Sequence, residues 1–262
     1  MYIIVDKSWI TSVSTFRLKD ICYNNYLILP GSLGYELFTA SDKDQAIRIW
    51  NKLNTVKEKV FIMEIINSLI QEEIKHQKAF GSFDKFFLDV SFSADIEKIK
   101  GVFTKKQKFT INYNKINWEG EGTLGFLKIL KNVQVYFPQI GKERKPNSII
   151  FDDVLEKICN EKETVIRIYN DIRPHNFPPA KAIDYNWAVF RWLQIHLLYA
   201  VEYKRRYDSN NGKIKPSILA HDNIDIEYLM LGVLNKCLAS DDKKIKFLFK
   251  LCCKEGFLFT NN

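Results

Sequence analysis

Long uncharged apolar runs are missing from this 262-residue chain. None reaches the roughly 20 residues that a transmembrane helix needs, so no membrane partner is expected. A secretory leader is not expected either, because Asp6 interrupts the only early apolar run, Tyr2-Ile3-Ile4-Val5. Cysteine is sparse and oddly numbered: Cys22, Cys159, Cys237, Cys252 and Cys253 show no zinc-type spacing, and the last two are vicinal within a helical pattern. That excludes a C-x-x-C site and argues for free buried thiols in a reducing cytosol. The flexible Gly120-Glu121-Gly122 lacks the Gly-Lys-Ser/Thr ending of a phosphate-cradling loop, which argues against a nucleotide hydrolase. Histidine is rare, and His196 has no Cys or Ser at a suggestive spacing, so no nucleophilic triad is expected.

What the chain does have is positive charge and aromatic side chains. A net charge of +8, a pI near 9.1 and 14% aromatics fit a polyanionic partner better than a membrane. A lysine-rich surface that serves solubility is the competing account. The densest cationic point is Lys204-Arg205-Arg206, closing a helix expected over about 183–206. Such a turn suits the negative helix end as well as it suits phosphate. Within the same helix Arg191 lies between Phe190 and Trp192, the setting of a buried, hydrogen-bonded guanidinium or of one that holds RNA phosphate beside stacked bases.

The acidic residues carry the pattern with most meaning. Near the end of the chain, Asp222 or Asp225 is expected in the first turn of a helix with an apolar stripe at Ile226, Leu229, Met230, Val233 and Leu234. Lys236-Cys237-Leu238-Ala239 then reads as a short buried strand ending in Ser240-Asp241-Asp242, with a helix over 243–252. In α/β sheets ligands collect at the carboxyl ends of strands, so two acidic points would meet at one site. The start of the chain repeats this theme. Tyr2 to Val5 is a strand ending in Asp6, which is equally a cap for the Ser-Trp-Ile segment that follows. A helix over 16–23, a strand Tyr26-Leu27-Ile28-Leu29 ended by Pro30-Gly31, and a helix bearing Glu36 come next.

Between these ends, helices are expected over 42–50, 56–76, 92–103, 123–130, 148–160 and 162–172. A hairpin is expected near 109–119, a basic loop over 139–147, and an extended linker at Arg173-Pro174-His175-Asn176-Phe177-Pro178-Pro179.

The order strand-Asp6, helix, strand-Pro, helix-Glu36, then helix-Asp225, strand, Ser240-Asp241-Asp242-Lys243 resembles the PIN domain family of metal-dependent ribonucleases. The resemblance covers about 1–65 and 216–262, leaving 66–215 as a mainly helical insertion with a small β-hairpin. It implies a three-layer α/β/α core around a parallel sheet. It also implies an acidic set of Asp6, Glu36, Asp225 and Asp242, with Ser240 as the accompanying hydroxyl. Asp222 competes with Asp225 for the third position and Asp241 with Asp242 for the fourth. Carboxylate oxygens suit Mg2+ or Mn2+. Asp6, Asp225 and Asp242 would be the metal ligands in this expectation, with Glu36 at the edge of the site.

The activity implied is endoribonucleolytic hydrolysis of RNA phosphodiester bonds by a cytoplasmic toxin or defence nuclease. An antitoxin or sensor would restrain it, and homo-oligomerisation stays open. Arg191, Lys204, Arg205 and Arg206 are the expected nucleic-acid contacts. Two other readings stay open beside it: a nuclease for structured DNA, and an inactive PIN-like module that binds RNA or protein.

Overall fold

The computed structural model describes residues 1–88, 122–142, 149–207 and 216–261. The chain divides into two compact units, one of Met1–Ser68, Ser82–Ile116 and Glu227–Asn262, the other of Leu69–Gly81 and Asn117–Ile226. The expected helix at 92–103 and hairpin at 109–119 lie outside the described residues.

The first unit is α/β. Its strands are β1 (Tyr2–Val5), β2 (Tyr26–Leu29), β3 (Val60–Ile62), β4 (Cys237–Ala239) and β5 (Phe257–Phe259). All neighbours are parallel, in the order β3-β2-β1-β4-β5. Ile3, Ile4, Val5, Leu27, Ile28, Leu238 and Ala239 are buried, as expected of parallel strands that read as short continuous apolar runs. The chain fills the sheet outward from β1 through β2 to β3, then returns to the other side of β1 with β4. The strand order therefore reverses between β1 and β4, where the carboxyl ends of a parallel sheet open a crevice.

Helices α1 (Lys7–Ser12), α2 (Thr15–Asn24), α3 (Gly31–Thr39) and α4 (Lys43–Asn54) follow the first strands, and α11 (Lys243–Cys252) follows β4. Local chemistry starts several of them. Ser14 accepts from Arg17 N at 3.2 Å and Asp42 from Gln45 N at 2.8 Å. Lys52 of α4 donates to the carbonyls of Ile10, Thr11 and Val13 at 2.9, 3.1 and 2.6 Å, satisfying the end of α1.

The second unit contains α6 (Gly122–Tyr136), α7 (Ile149–Asn160), α8 (Lys162–Ile172) and α9 (Ala188–Tyr207), with α9 packed on the other three. Unit boundaries fall within α5 (Ile66–His76) and α10 (Pro216–Asn235), and α11 (Lys243–Cys252) belongs to the first unit. Among the described residues no helix is long and apolar enough to cross a membrane.

Four expectations change. The helix expected over 56–76 is a strand, β3, followed by α5, because Val60-Phe61-Ile62 pairs with Leu27-Ile28-Leu29. The edge strand β5 had no sequence counterpart. The long helix expected from about Ile183 starts at Ala188. Finally, α10 starts at Pro216, whose missing N–H is no loss at a helix start, so Asp222 and Asp225 are interior to the helix and do not open it.

Candidate active site

Asp6 and Ser240 come together through strand register. Val5 pairs with Ala239, and Asp6 N donates to Ala239 O at 3.0 Å, so the residues ending β1 and β4 stand side by side. Asp6 is only 4% exposed. One of its oxygens accepts the hydroxyls of both Ser8 and Ser240 at 2.5 Å, and the other accepts Ser8 N at 3.2 Å as the cap of α1.

With their O–H groups donating to Asp6, the hydroxyls accept through their lone pairs. Ser8 Oγ accepts Asp241 N and Asp242 N at 3.0 and 3.1 Å, and Ser240 Oγ accepts Asp242 N at 3.2 Å. Every donor in this chain points toward the Asp6 carboxylate, and such chains polarise one another. Sequence reading missed Ser8, although its place two residues after Asp6 is the spacing of a capping turn.

The neighbours Asp241 and Asp242 separate in role. Asp241 accepts the Ser12 hydroxyl and both Asn261 N and Asn261 Nδ2 at 2.9 Å. Burial pushes its pKa up, but these bonds and the charge of Lys246 outweigh burial and hold it below its ordinary value. It thus ties the end of β4 to α1 and to the segment after β5. Asp242 caps α11, accepting Ile245 N at 2.8 Å.

Glu36 enters from α3, which follows β2. Its Oε2 accepts Tyr228 OH at 2.6 Å, and Lys7 Nζ lies 3.7 Å from its Oε1. Tyr228 is buried on α10, beside Glu227, which is 2% exposed and accepts Ile66 N at 3.3 Å. Burial, then the charges of Glu36 and Asp6, the bond to Glu36 and the charge of Glu227 push the Tyr228 phenol well above its ordinary pKa. Glu227 and Tyr228 escaped sequence reading. The sign that could have found them was a charged and a phenolic residue set side by side in an otherwise apolar helical run.

The remaining expected residues belong to the second unit. Asp222 accepts the Tyr203 hydroxyl, and Asp225 Oδ1 lies 3.5 Å from His221 Nδ1. Arg191 is 7% exposed; it donates to Tyr185 O at 2.7 Å and Gln194 Oε1 at 2.6 Å, with its guanidinium 4.8 Å from the Tyr185 ring centroid. Gln194 in turn donates to Ile158 O at 2.9 Å, so Arg191 belongs to a buried network joining α9 to α7. Arg205 bridges Asp152 at 2.9 Å and Glu202 at 3.4 Å. Arg206 has the more exposed side chain and lies 3.5 Å from Glu202. Lys204 is half-buried on the same turn.

Among the described residues no three His, Cys, Asp or Glu side chains are grouped closely enough to hold a metal ion. The donor chemistry nonetheless suits a hard divalent cation: carboxylate oxygens with hydroxyls beside them and no thiolate. Compared with protein-family models, curated proteins and solved structures, the chain matches none.

Proposed function

We propose that the chain is a PIN-like, Mg2+- or Mn2+-dependent nuclease that hydrolyses RNA phosphodiester bonds. The observation that carries this reading is the pairing of Asp6 with Ser240-Asp241-Asp242 at the strand-order reversal, with Glu36 tied by Tyr228. Asp6, Asp242 and Glu36 are the acidic residues of the first unit that would have to draw together to hold the cation, since no three acidic side chains stand close enough among the described residues; Asp225 belongs to the second unit. A divalent cation held there would supply a water of lowered pKa and charge neutralisation at the scissile phosphate.

The chain's own part is to hold these oxygens. Ser8 and Ser240 orient Asp6, the α11 cap orients Asp242, and Tyr228 orients Glu36. The +8 chain supplies sequence-independent attraction for a polyanion. Toxin or defence activity under an antitoxin or sensor is the biological setting that fits an unselective RNA nuclease.

Asp6→Asn keeps shape and removes one negative charge. In Mg2+ or Mn2+, cleavage of a mixed RNA pool is expected to fall by more than the roughly 10–100-fold that losing an outer hydrogen-bond partner costs. RNA binding should change little, because the loss is concentrated in the transition state. EDTA should abolish cleavage. Cleavage that survives either change sinks the metal mechanism. A second reading, a PIN-like module that binds RNA or protein without cutting it, is favoured by the protein hydrogen bonds that Asp6, Glu36 and Asp242 already accept. RNA binding with no cleavage under any divalent cation would select it.

A further inference from the structure

We propose that the outer face of α2 is a stacking surface for single-stranded RNA; this rests on the RNA reading above. Helix α2 buries Leu18 and Cys22 and turns Phe16 and Tyr23 to water, at 85% and 80% exposure. The two rings are seven residues apart, two helical turns or about 10 Å along one face. Lys19, also exposed, is three residues after Phe16 and four before Tyr23, so it stands between them. Folding gives no reason for these rings. They bury little, and both are poorer helix formers than the lysine or glutamate that suits a solvated position.

The surface continues past the helix. Tyr26, which opens β2, is 37% exposed and has the Lys59 ammonium 4.5 Å from its ring centroid. Burial raises the Cys22 thiol to about 11 against the opposing charge of Lys59, which places Lys59 beside the last turn of α2. At the other end Arg17 donates to Thr260 O at 2.7 Å, and Ser12, just before α2, donates to Asp241. The surface therefore starts next to the residues that close β4.

Open aromatic rings alternating with cations are what an unpaired polyanionic strand requires, since every base has a face to stack and every link a charge to meet. Arg17, Lys19 and Lys59 outnumber Asp20, the one acid of α2. Arg17 rests on a neutral carbonyl and keeps its charge, while the exposed Glu58 lies 3.9 Å from Lys57 Nζ. A duplex already stacks its bases on one another, so only a single strand gains from the rings.

Fluorescence anisotropy of a labelled single-stranded oligouridine with the full-length chain, in EDTA so that none is cut, reads the contact without turnover. Phe16→Ala and Tyr23→Ala should each weaken binding by about tenfold. Their salt slopes should stay unchanged, whereas Lys19→Ala should reduce the slope by about 0.7. Tyr23→Phe keeps the ring and should bind as the unaltered chain does; Phe16→Leu keeps apolar bulk alone and should lose as much as Phe16→Ala. An abasic strand should bind all of these chains alike. Both positions are exposed, so the thermal midpoint should not move.

Unaltered affinity in both alanine variants overturns the proposal and leaves the nuclease reading standing. Equal losses with the abasic strand, or full affinity in Phe16→Leu, also overturn it, because the rings then do not stack on bases. So does self-association of the unaltered chain that Phe16→Ala and Tyr23→Ala abolish, which would give the face to a second copy. If the unaltered chain binds no RNA, the proposal and the RNA reading fall together.

Discussion

Two buried side chains of the second unit respond to pH in opposite directions. Glu73 is fully buried and accepts Phe80 N, Ala188 N and Val189 N at 3.3, 2.7 and 2.9 Å, serving α9 in place of a side-chain cap. Burial outweighs those three donors and, with the charge of Asp184, raises its pKa from 4.5 to about 7. Its contribution to stability is therefore full below pH 4.5 and is lost as pH rises through about 7. The loss is on the order of 3 kcal/mol. His196 is the reverse. Burial, against a 2.7 Å bond to Trp192 O that favours the charged ring, lowers its pKa from 6.5 to about 4. Stability is lost there as pH falls from 6.5 through 4. Urea unfolding across pH 4–8 tests this. Glu73→Gln should be less stable at low pH and should remove the decline between pH 4.5 and 7, exposing the His196 slope. A Glu73→Gln profile parallel to that of the unaltered chain would show that Glu73 does not titrate there.

At the scale of elements, Asp242 serves both α11 and the candidate site, and two substitutions separate the roles. Asn caps a helix about as well as Asp, whereas Ala costs about 1 kcal/mol. Asp242→Asn should therefore keep the melting temperature while losing Mn2+ binding and cleavage. Asp242→Ala should lose both functions and also about 1 kcal/mol of stability. Unchanged cleavage in Asp242→Asn would leave Asp242 as a helix cap alone. The β1–β4 pairing matters in the same way, since it is register that puts Asp6 beside Ser240. A one-residue slip would turn one of the two side chains to the opposite sheet face.

For the whole molecule, the proposed RNA binding would take its response to salt from the positive charge. Affinity should fall linearly in log-log form as salt rises, with a slope near 0.7 per phosphate contact on single strands. Arg206, with the more exposed guanidinium, should reduce that slope by about 0.7 when changed to Ala if it contacts phosphate. Arg205→Ala should instead cost stability, because Arg205 bridges α9 to Asp152 of α7. Fluorescence anisotropy between 50 and 200 mM salt, a range of roughly twofold in screening length, measures the slope. An unchanged slope in Arg206→Ala would reduce the cluster to helix-end and solubility charges.

The ends of β1 and β4, and the helices carrying Glu36 and Asp242, were legible in the sequence because each is a local matter: an apolar run, a breaker and a cap. The bounds 243–252 of α11 follow from Asp242 as cap and a clear amphipathic stripe. Tertiary structure decided the rest. β3 exists because β2 offers an edge to Val60-Phe61-Ile62, a pairing that no local pattern encodes. Helix α10 is buried on nearly every side from Asp222 to Val233, so periodicity could not say which of its polar residues faces which neighbour. That placement put Tyr228 on Glu36 and Asp222 under Tyr203. Arg191 went inward for the same reason: its aromatic neighbours marked a core helix as well as they would have marked a stacking surface, and only packing separates the two.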